Sequence, residues 1–420
     1  MPTPAASTVG QAGWSGRAVL VAVATGVAAG VGGVLLTLLL HLVQHLAFGY
    51  TENTFLVGVQ RASGLRRVLA MAVGGALVGL GWWALRSRAA PVVPIDRALE
   101  EPSTRLPLRT SVADAALQIL GVGCGASLGR EGAPRLLGAA AAGWLSTRAG
   151  LDPATRRTLI ACGAGAGLAA VYNVPVSGAL FALEALLVSF AARHAVPALI
   201  SSAVAVGVAL PVLSSRPTYQ LGSLALSPSL VVWSVLIGPF AALAASALVA
   251  GAGKARALSP TGWRLPLATI AIFTAVGALS IAFPQVLGNG KGPAQLAFDG
   301  GLGLALAGSL LVLKPLATVA CLASGATGGL LTPAFATGAA LGALTGGAWN
   351  LLWPGGSVAA FALVAATAVL SVSLRAPFCA IALALELTHS GLELTLPVVL
   401  AVGGALLTAR LLRPRPVTDT

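Results

Sequence analysis

The chain of 420 residues is 57% hydrophobic and only 9% charged, and its mean hydropathy is +0.90. This composition excludes a soluble globular domain. The net charge of +13 comes from basic residues scattered in ones, twos and threes between apolar runs, which is typical of loops anchored to lipid headgroups and not of a nucleic-acid surface. We therefore predict an integral membrane protein with many spans and no nucleic-acid partner.

The first half begins with two long apolar runs and continues in shorter ones. Runs 18–48 and 68–85 are long enough to cross a bilayer, and a polar connection, 86–110, follows them. Between 111 and 213 the apolar segments are shorter and broken by Gly and Pro, so we predict partial or re-entrant helices buried in protein. His41 and His45 lie near the end of the first run and are interpreted as interfacial side chains.

The second half of the chain shows the same pattern of long apolar runs followed by shorter, broken ones. Spans are predicted at 230–251 and 265–283, followed by a surface loop at 284–299. The punctuated segments that complete the chain are 300–313, 316–331, 333–352, 358–374, 377–387 and 394–412. We expect one transmembrane domain, 17–412, with short tails at 1–16 and 413–420, no cleavable signal peptide and no cytosolic regulatory domain.

The four cysteines all lie inside apolar segments and show no CxxC spacing. We interpret them as small buried residues and predict no metal site, no disulfide and no cofactor. They are Cys124, Cys162, Cys321 and Cys379.

One carboxylate stands out in apolar sequence. Glu131 occurs in the motif GREGAP, between Gly129 and Gly132. A charged group at membrane depth costs about 2.5–3.5 kcal/mol on insertion scales, so its presence there predicts a function. The flanking Gly and Pro residues can end one helix and begin another, which places Glu131 near a helix N-terminus that attracts anions. The alternative is a purely structural helix cap.

Two pairs of motifs recur in the same order. The proline of GREGAP is followed 41 residues later by that of YNVPVSG, and the proline of GGLLTP is followed 44 residues later by that of LRAPFCA. Each later proline is followed, nine residues on, by a glutamate, Glu184 or Glu386. Inverted repeats of broken helices that meet near the midplane are a transporter architecture. We predict an all-α polytopic membrane protein with two inverted-topology repeats, about 111–213 and 300–412.

Together these motifs resemble those of the CLC family of chloride channels and chloride/proton antiporters. GREGAP is similar to that family's GREGP, and GATGGLLTPAFATGAALG is similar to its GGxFxP helix start, within a resemblance that covers roughly 18–412. The resemblance implies tilted and broken helices in two antiparallel repeats. It also implies a homodimer with one anion pathway per subunit, multi-pass in the bacterial inner membrane.

By the same resemblance, Glu131 is similar to the gating glutamate whose carboxylate occupies the anion path and swings aside. The backbone N–H groups of Leu330 and Leu331 match those that coordinate the central anion. The positions that the resemblance assigns to anion binding or to the shape of its site are Gly129, Arg130, Gly132, Leu330, Leu331 and Pro91.

Four further residues are secondary candidates. Lys314 resembles a lysine near the inner mouth that raises the local anion concentration. Glu184 and Glu386 fit two interpretations, a cap on the backbone of the other repeat or a functional carboxylate. Tyr172 ends a buried segment of the first repeat.

Three departures from the family pattern bear on function. Pro91, in the stretch APVVP, stands where the family has a serine hydroxyl for the anion, and members with proline there are associated with nitrate. The family's tyrosine in the last segment has no counterpart, since Thr418 falls nearest. Ala185 replaces the glutamate that relays protons on the inner side.

The resemblance implies transport of a monovalent inorganic anion, with chloride expected, through a glutamate-gated pathway. Ala185 favours a passive channel, whereas the setting of Glu131 favours an antiporter with protons as the coupled ion. The alternatives are a nitrate-preferring transporter and a membrane-embedded enzyme or scaffold. The sequence contains no HExxH motif and no nucleotide-binding loop, so we predict that the protein is not an enzyme.

Overall fold

The structure is a computed structural model, and it describes residues 15–50, 54–101, 103–213, 215–222, 224 and 226–412. Both predicted tails lie largely outside these residues, as does Thr418. The helices in chain order are α1 (Gly16–Phe48), α2 (Phe55–Arg61), α3 (Gly64–Arg88), α4 (Ile95–Glu100), α5 (Leu108–Gly123), α6 (Gly132–Arg148), α7 (Pro153–Tyr172), α8 (Pro175–Leu180), α9 (Ala192–Ala209), α10 (Pro228–Ala257), α11 (Arg264–Ala282), α12 (Lys291–Phe298), α13 (Leu304–Ala323), α14 (Leu331–Leu352), α15 (Val358–Leu374), α16 (Pro377–Thr388) and α17 (Thr395–Leu411).

Seven helical segments of the described chain are long and apolar enough to cross a membrane. They are Gly16–Phe48, Gly64–Arg88, Ala192–Ala209, Pro228–Ala257, Arg264–Ala282, Leu304–Ala323 and Leu392–Leu411. Among the other helices, α6 and α14 begin inside the protein, next to the buried residues Glu131 and Leu331. This confirms the predicted all-α, polytopic membrane fold of long spans and broken helices.

Two local predictions were wrong. The segment 284–299 is not an open surface loop, because it forms a short 3₁₀ turn, Pro284–Val286, and then α12. The predicted break at Lys314-Pro315 is also absent, since α13 continues through Pro315. Proline in a membrane helix is tolerated when its surroundings supply hydrogen bonds to the backbone groups that it leaves unpaired. Residues that usually form turns therefore do not by themselves end a helix in this protein.

The two repeats follow the same course from helix to helix. The cap residues that directly follow α7 and α15 are Asn173 and Arg375, each with a φ of 56°. Each cap is followed two residues later by the proline that starts α8 or α16. Non-glycine residues with positive φ are uncommon, so finding them at matching positions supports a shared ancestry of the halves. α7 and α15 are buried along most of their length and form the centre of each repeat.

Helix packing inside each repeat relies on small residues. A Cβ added at Gly163 of α7 would collide with the carbonyl oxygen of Gly138 in α6. A Cβ at Gly342 of α14 would collide in the same way with the carbonyl oxygen of Phe361 in α15. Close backbone contact through small residues is how membrane helices gain van der Waals attraction without a hydrophobic driving force. The high glycine content therefore determines how closely the buried helices approach.

Candidate functional site

The two repeats meet where α6 and α14 begin. Gly129 and Gly329 pair as an isolated antiparallel bridge: the N–H of Gly129 donates to the carbonyl of Gly329 at 2.8 Å, and the N–H of Gly329 donates back at 2.9 Å. The two motifs GREGAP and GGLLTP are thereby joined back to back. The first turns of both helices then lie at one point inside the protein.

The carboxylate of Glu131 lies at this point and is fully buried. Its Oε1 accepts a 2.6 Å hydrogen bond from the backbone N–H of Leu331, and its Oε2 accepts a 3.1 Å bond from the hydroxyl of Thr332. Leu331 and Thr332 are the first two residues of α14, whose unpaired N–H groups carry a partial positive charge. Glu131 therefore occupies a position that suits a dissolved anion equally well.

Glycine is required around this carboxylate. A Cβ at Gly329 would overlap the Glu131 side chain, and a Cβ at Gly132 would lie 2.5 Å from Oε1 of Gln118. Behind Gln118, the buried carboxylate of Asp114 accepts hydrogen bonds from the Gln118 amide at 2.7 Å and from Nε1 of Trp82 at 2.8 Å. The bond from Trp82 joins α3 to α5, and the bond within α5 orients the Gln118 side chain that lies beside Gly132 at the start of α6.

Arg130 adjoins Glu131 in the chain. Its guanidinium carbon lies 4.8 Å from the centre of the Tyr172 ring, and its Nη2 donates to the carbonyl of Val171 at 3.2 Å. Lys291 and His41 are close enough to Arg130 for an electrostatic interaction. Arg130 thus brings a positive charge near Glu131 without an ion pair to it, since no Arg130 salt bridge exists in the described residues.

Arg135 is a cation that the sequence reasoning missed. It lies one turn after Glu131 in α6, its N–H donates to the carbonyl of Glu131, and its guanidinium lies 4.4 Å from the centre of the Phe181 ring. The charged groups near it are Glu131, Asp96 and Arg256. Its spacing of four residues from Glu131 was the signal that could have found it, because residues four apart share a helix face.

The predicted anion-binding positions are only partly brought together. Leu331 is the residue whose N–H donates to Glu131, whereas neighbouring Leu330 is the residue before α14 and is half-buried. Thr332, whose hydroxyl contacts the carboxylate, was not predicted, although it follows Leu331 directly in the motif. Pro91 is exposed in the segment before α4, and its part in anion binding stays a prediction.

Lys314 lies inside the protein. Only 1% of its surface is exposed, and its Nζ donates to the carbonyls of Val286 at 2.9 Å and Gly288 at 2.5 Å. The ammonium group therefore holds the turn between α11 and α12 and does not line an open mouth. Backbone carbonyls 26 and 28 residues earlier in the chain bind this buried charge, and its effect on the local anion concentration stays a prediction.

Glu184 and Glu386 cap each other's repeats. Glu184 accepts bonds from the N–H groups of Phe378 at 3.1 Å and Cys379 at 2.7 Å, at the start of α16. Glu386 accepts bonds from the N–H groups of Val176 at 3.0 Å and Ser177 at 2.7 Å, and from the Ser177 hydroxyl, at the start of α8. The geometry supports the structural interpretation for both carboxylates.

The described residues contain no cluster of three or more potential metal ligands. All four cysteines are buried, as expected from their apolar surroundings. His41 and His45 stack at 6.3 Å between ring centres near the end of α1, and His45 contacts the Tyr50 ring edge-on. The rings of His41, His45 and Tyr50 thus form an aromatic cluster near the end of α1.

This fold and site define a class: a multi-pass membrane protein whose two inverted repeats direct helix N-termini at one buried carboxylate. Residues 74–410 match the family model described as voltage gated chloride channel. A putative chloride channel protein ClcB-like from Ralstonia nicotianae is 31% identical over 80% of this chain and 80% of its own length. The voltage-gated ClC-type chloride channel ClcB of Escherichia coli is 30% identical over 83% of this chain and 85% of its own.

Similarity extends to solved structures. The crystal structure of a slow cyanobacterial Cl⁻/H⁺ antiporter superimposes with a TM-score of 0.84 at 19% identity, covering 96% of each chain. At that identity the comparison establishes the fold alone. The chain belongs to the voltage-gated chloride channel family, the CLC family.

Proposed function

We propose that this protein conducts a monovalent inorganic anion, with chloride expected, through a pathway gated by Glu131. The observation that carries the proposal is the position of the Glu131 carboxylate on the N–H of Leu331 and the hydroxyl of Thr332, fully buried at the first turn of α14. The names of the relatives, a chloride channel and a Cl⁻/H⁺ antiporter, agree with anion transport.

The electrostatics suit a passing ion. Half a positive charge about 5 Å from an anion, at an effective dielectric near 20, contributes about 1.7 kcal/mol. α6 and α14 both begin beside Glu131, so two such contributions offset part of the desolvation of a monovalent anion. Binding of this strength still lets the anion leave, which conduction requires.

Glu131 and the anion compete for the same donors. Both carry one negative charge, so they cannot occupy the first turn of α14 together. Protonation of Glu131 removes its charge and weakens its hold on Leu331 and Thr332. Flux should therefore rise as the pH falls.

An efflux assay in liposomes tests the gate. Liposomes that contain the wild-type protein or Glu131→Gln are loaded with chloride, nitrate or fluoride. Anion efflux from them is recorded between pH 7.5 and pH 4.5. We expect flux that rises with acid in the wild type and a faster, pH-independent flux in the variant. Efflux no greater than that of protein-free vesicles would reject transport and support the enzyme or scaffold alternative. An unchanged pH profile in Glu131→Gln would reject the role of Glu131.

We propose passive conduction in preference to proton exchange. Ala185 lies in the π-helical segment Phe181–Leu187, where the family resemblance expects a proton-relaying glutamate. The guanidinium of Arg135 lies over Phe181 in the same segment, and a fixed cation there disfavours a passing proton. A chloride gradient should therefore drive no uphill proton movement, measured with a pH electrode in lightly buffered liposomes. Uphill pumping would establish the antiporter instead.

A second copy of the chain is the proposed partner. Glu184 and Glu386 are only half-buried, and apolar side chains around them are exposed: Val176 at 49%, Phe190 at 54% and Phe378 at 62%. Carboxylates facing lipid are costly, so covering this face with a second subunit is favourable. Cross-linking in liposomes should give a species of two 41.5 kDa chains. Val176→Trp should weaken it, whereas Leu77→Trp on α3, also exposed, should not.

A further inference from the structure

The chain contains three tyrosines, and two of them have buried hydroxyls without a partner. Tyr172 is 5% exposed and Tyr219 is 0% exposed, and neither hydroxyl has a hydrogen-bond partner in the described part of the chain. Tyr50 differs, because its hydroxyl donates to Oε1 of Gln44 at 3.3 Å. A buried polar group that is left unpaired costs about 1–3 kcal/mol, so two in one place require an explanation.

Both hydroxyls lie near Glu131. Tyr172 ends α7 beneath the Arg130 guanidinium, and its hydroxyl is close to the side chains of Arg130 and Thr332 without hydrogen-bond geometry to either. Tyr219 is near enough to interact electrostatically with Tyr172, Arg130 and Glu131. Nε of Arg130 is a third buried polar atom without a partner. Three buried polar atoms without a hydrogen-bond partner therefore lie near the Glu131 carboxylate.

The surroundings hold Tyr219 rigidly. Its ring stacks on Phe335, one turn after Leu331 in α14, with ring centres 5.2 Å apart. Phe298 meets the Tyr219 ring edge-on at 5.4 Å, and the Tyr219 N–H donates to the carbonyl of Leu387 at 2.9 Å. A side chain fixed in this way cannot turn its hydroxyl to water. The protein thus maintains an unpaired polar group in a preformed position, as a binding site requires.

We infer that the hydroxyls of Tyr172 and Tyr219, with Nε of Arg130, donate to a monovalent anion at a binding station beside Glu131. The inference rests on the proposed function and names side chains that bind the transported ion. Neutral hydroxyls compensate for lost hydration without adding fixed charge, so the anion is held and still leaves. They also supply donors that the family pattern places elsewhere and that this chain lacks at Pro91.

Anion binding to the purified protein tests this inference. Calorimetric titration with potassium chloride and potassium nitrate is carried out in the Glu131→Gln background, where no carboxylate competes for the donors. The variants are Tyr172→Phe, Tyr219→Phe and the double variant, with Tyr50→Phe as the matched control. We expect the Kd for chloride to rise about tenfold for each hydroxyl removed and further in the double variant, with Tyr50→Phe unchanged. The affinity for chloride should fall more than the affinity for nitrate, because chloride is the more strongly hydrated of the two anions.

Two other readouts separate the explanations. Since Tyr→Phe only removes an unpaired hydroxyl, thermal unfolding without anion should occur at the temperature of the Glu131→Gln background or above it, which excludes misfolding as the cause. A chloride Kd within twofold of that of the background in both single variants and in the double variant would overturn the inference. If those variants also conduct anions normally in liposomes, the gated pathway stands and only the hydroxyl station is wrong. No anion binding or flux in any protein, including the wild type, would instead reject the proposed function itself.

Discussion

The carboxylate of Glu386 in α16 accepts a 2.7 Å hydrogen bond from the backbone N–H of Ser177 in α8, 209 residues earlier in the chain. Glu184 makes the equivalent bond to Cys379 in the opposite direction. Each repeat therefore completes the first turn of a helix in the other. This exchange explains why a glutamate follows the proline by nine residues in both halves.

Removing either cap should destabilise the protein. In Glu184→Ala or Glu386→Ala, two N–H groups lose their acceptor, at a cost of about 1–3 kcal/mol. The expected result is a lower midpoint of thermal unfolding in detergent, with smaller losses for the glutamine variants, which keep an acceptor. Glu100→Ala, at an exposed position of α4, is the control. Normal stability combined with lost transport would show that these carboxylates act on the ion instead.

Gly329→Ala should displace the gate. The added Cβ would come within 2.9 Å of Cγ of Glu131 and closer still to its carboxyl group. The Glu131 side chain must therefore move away from the first turn of α14. We expect faster anion efflux than in the wild type, with a weaker dependence on pH. Gly207→Ala provides the control, because an added Cβ there meets no atom within 4 Å. Efflux and pH dependence like those of the wild type would show that the carboxylate is not confined by Gly329.

Asp114 should be essential for stability. Asp114→Ala leaves the buried donors of Trp82 and Gln118 without their acceptor, at about 1–3 kcal/mol for each donor. Asp114→Asn retains an oxygen acceptor and should lose less. Thermal unfolding followed by tryptophan fluorescence measures the difference. Asp299→Ala is the matched control, since Asp299 also accepts a bond from a glutamine, Gln295, but is exposed. Equal stability of the two alanine variants would contradict the prediction.

The N-cap of α7 should make a small, pH-dependent contribution to stability. Asp152 accepts bonds from the N–H groups of Ala154 and Thr155, both at 3.0 Å. Hydrogen bonds from Thr155 are the largest cause of the lowering of the pKa of Asp152 below 3.8. Because the folded-state pKa is lowered, the stabilisation is present above the unfolded-state pKa and is lost as the pH falls through the folded-state value.

Asp152→Ala should therefore cost about 0.5–2 kcal/mol at neutral pH, near the lower end because the side chain is exposed. The difference in unfolding temperature between wild type and variant should shrink once the pH falls below about 4. Asp152→Asn is the control, because the asparagine cap does not titrate. The difference in unfolding temperature between Asp152→Asn and Asp152→Ala should therefore be the same at every pH. If the unfolding temperatures of the wild type and Asp152→Ala differ as much at pH 3 as at pH 7, the predicted pH dependence is wrong.

The sequence by itself determined the membrane class, most of the helices and the repeat. α15 begins and ends where its apolar run does, at Val358 and Leu374, because a long hydrophobic run must form its hydrogen bonds within one helix. Glu131 was recognisable because a carboxylate in apolar sequence is costly and stands out. Family motifs then pointed to Leu331, whose backbone faces that carboxylate.

Only the tertiary structure decided which groups meet. In the sequence Lys314 has no evident partner, yet in the structure its Nζ donates hydrogen bonds to the carbonyls of Val286 and Gly288. The unpaired hydroxyl of Tyr219 and the bond from Thr332 to Glu131 depend on contacts between distant segments. Hydrophobic periodicity and helix-breaking residues act locally, and so the chain shows them directly. Electrostatic and hydrogen-bonding partners are set by the packing of one repeat against the other, which no local pattern records.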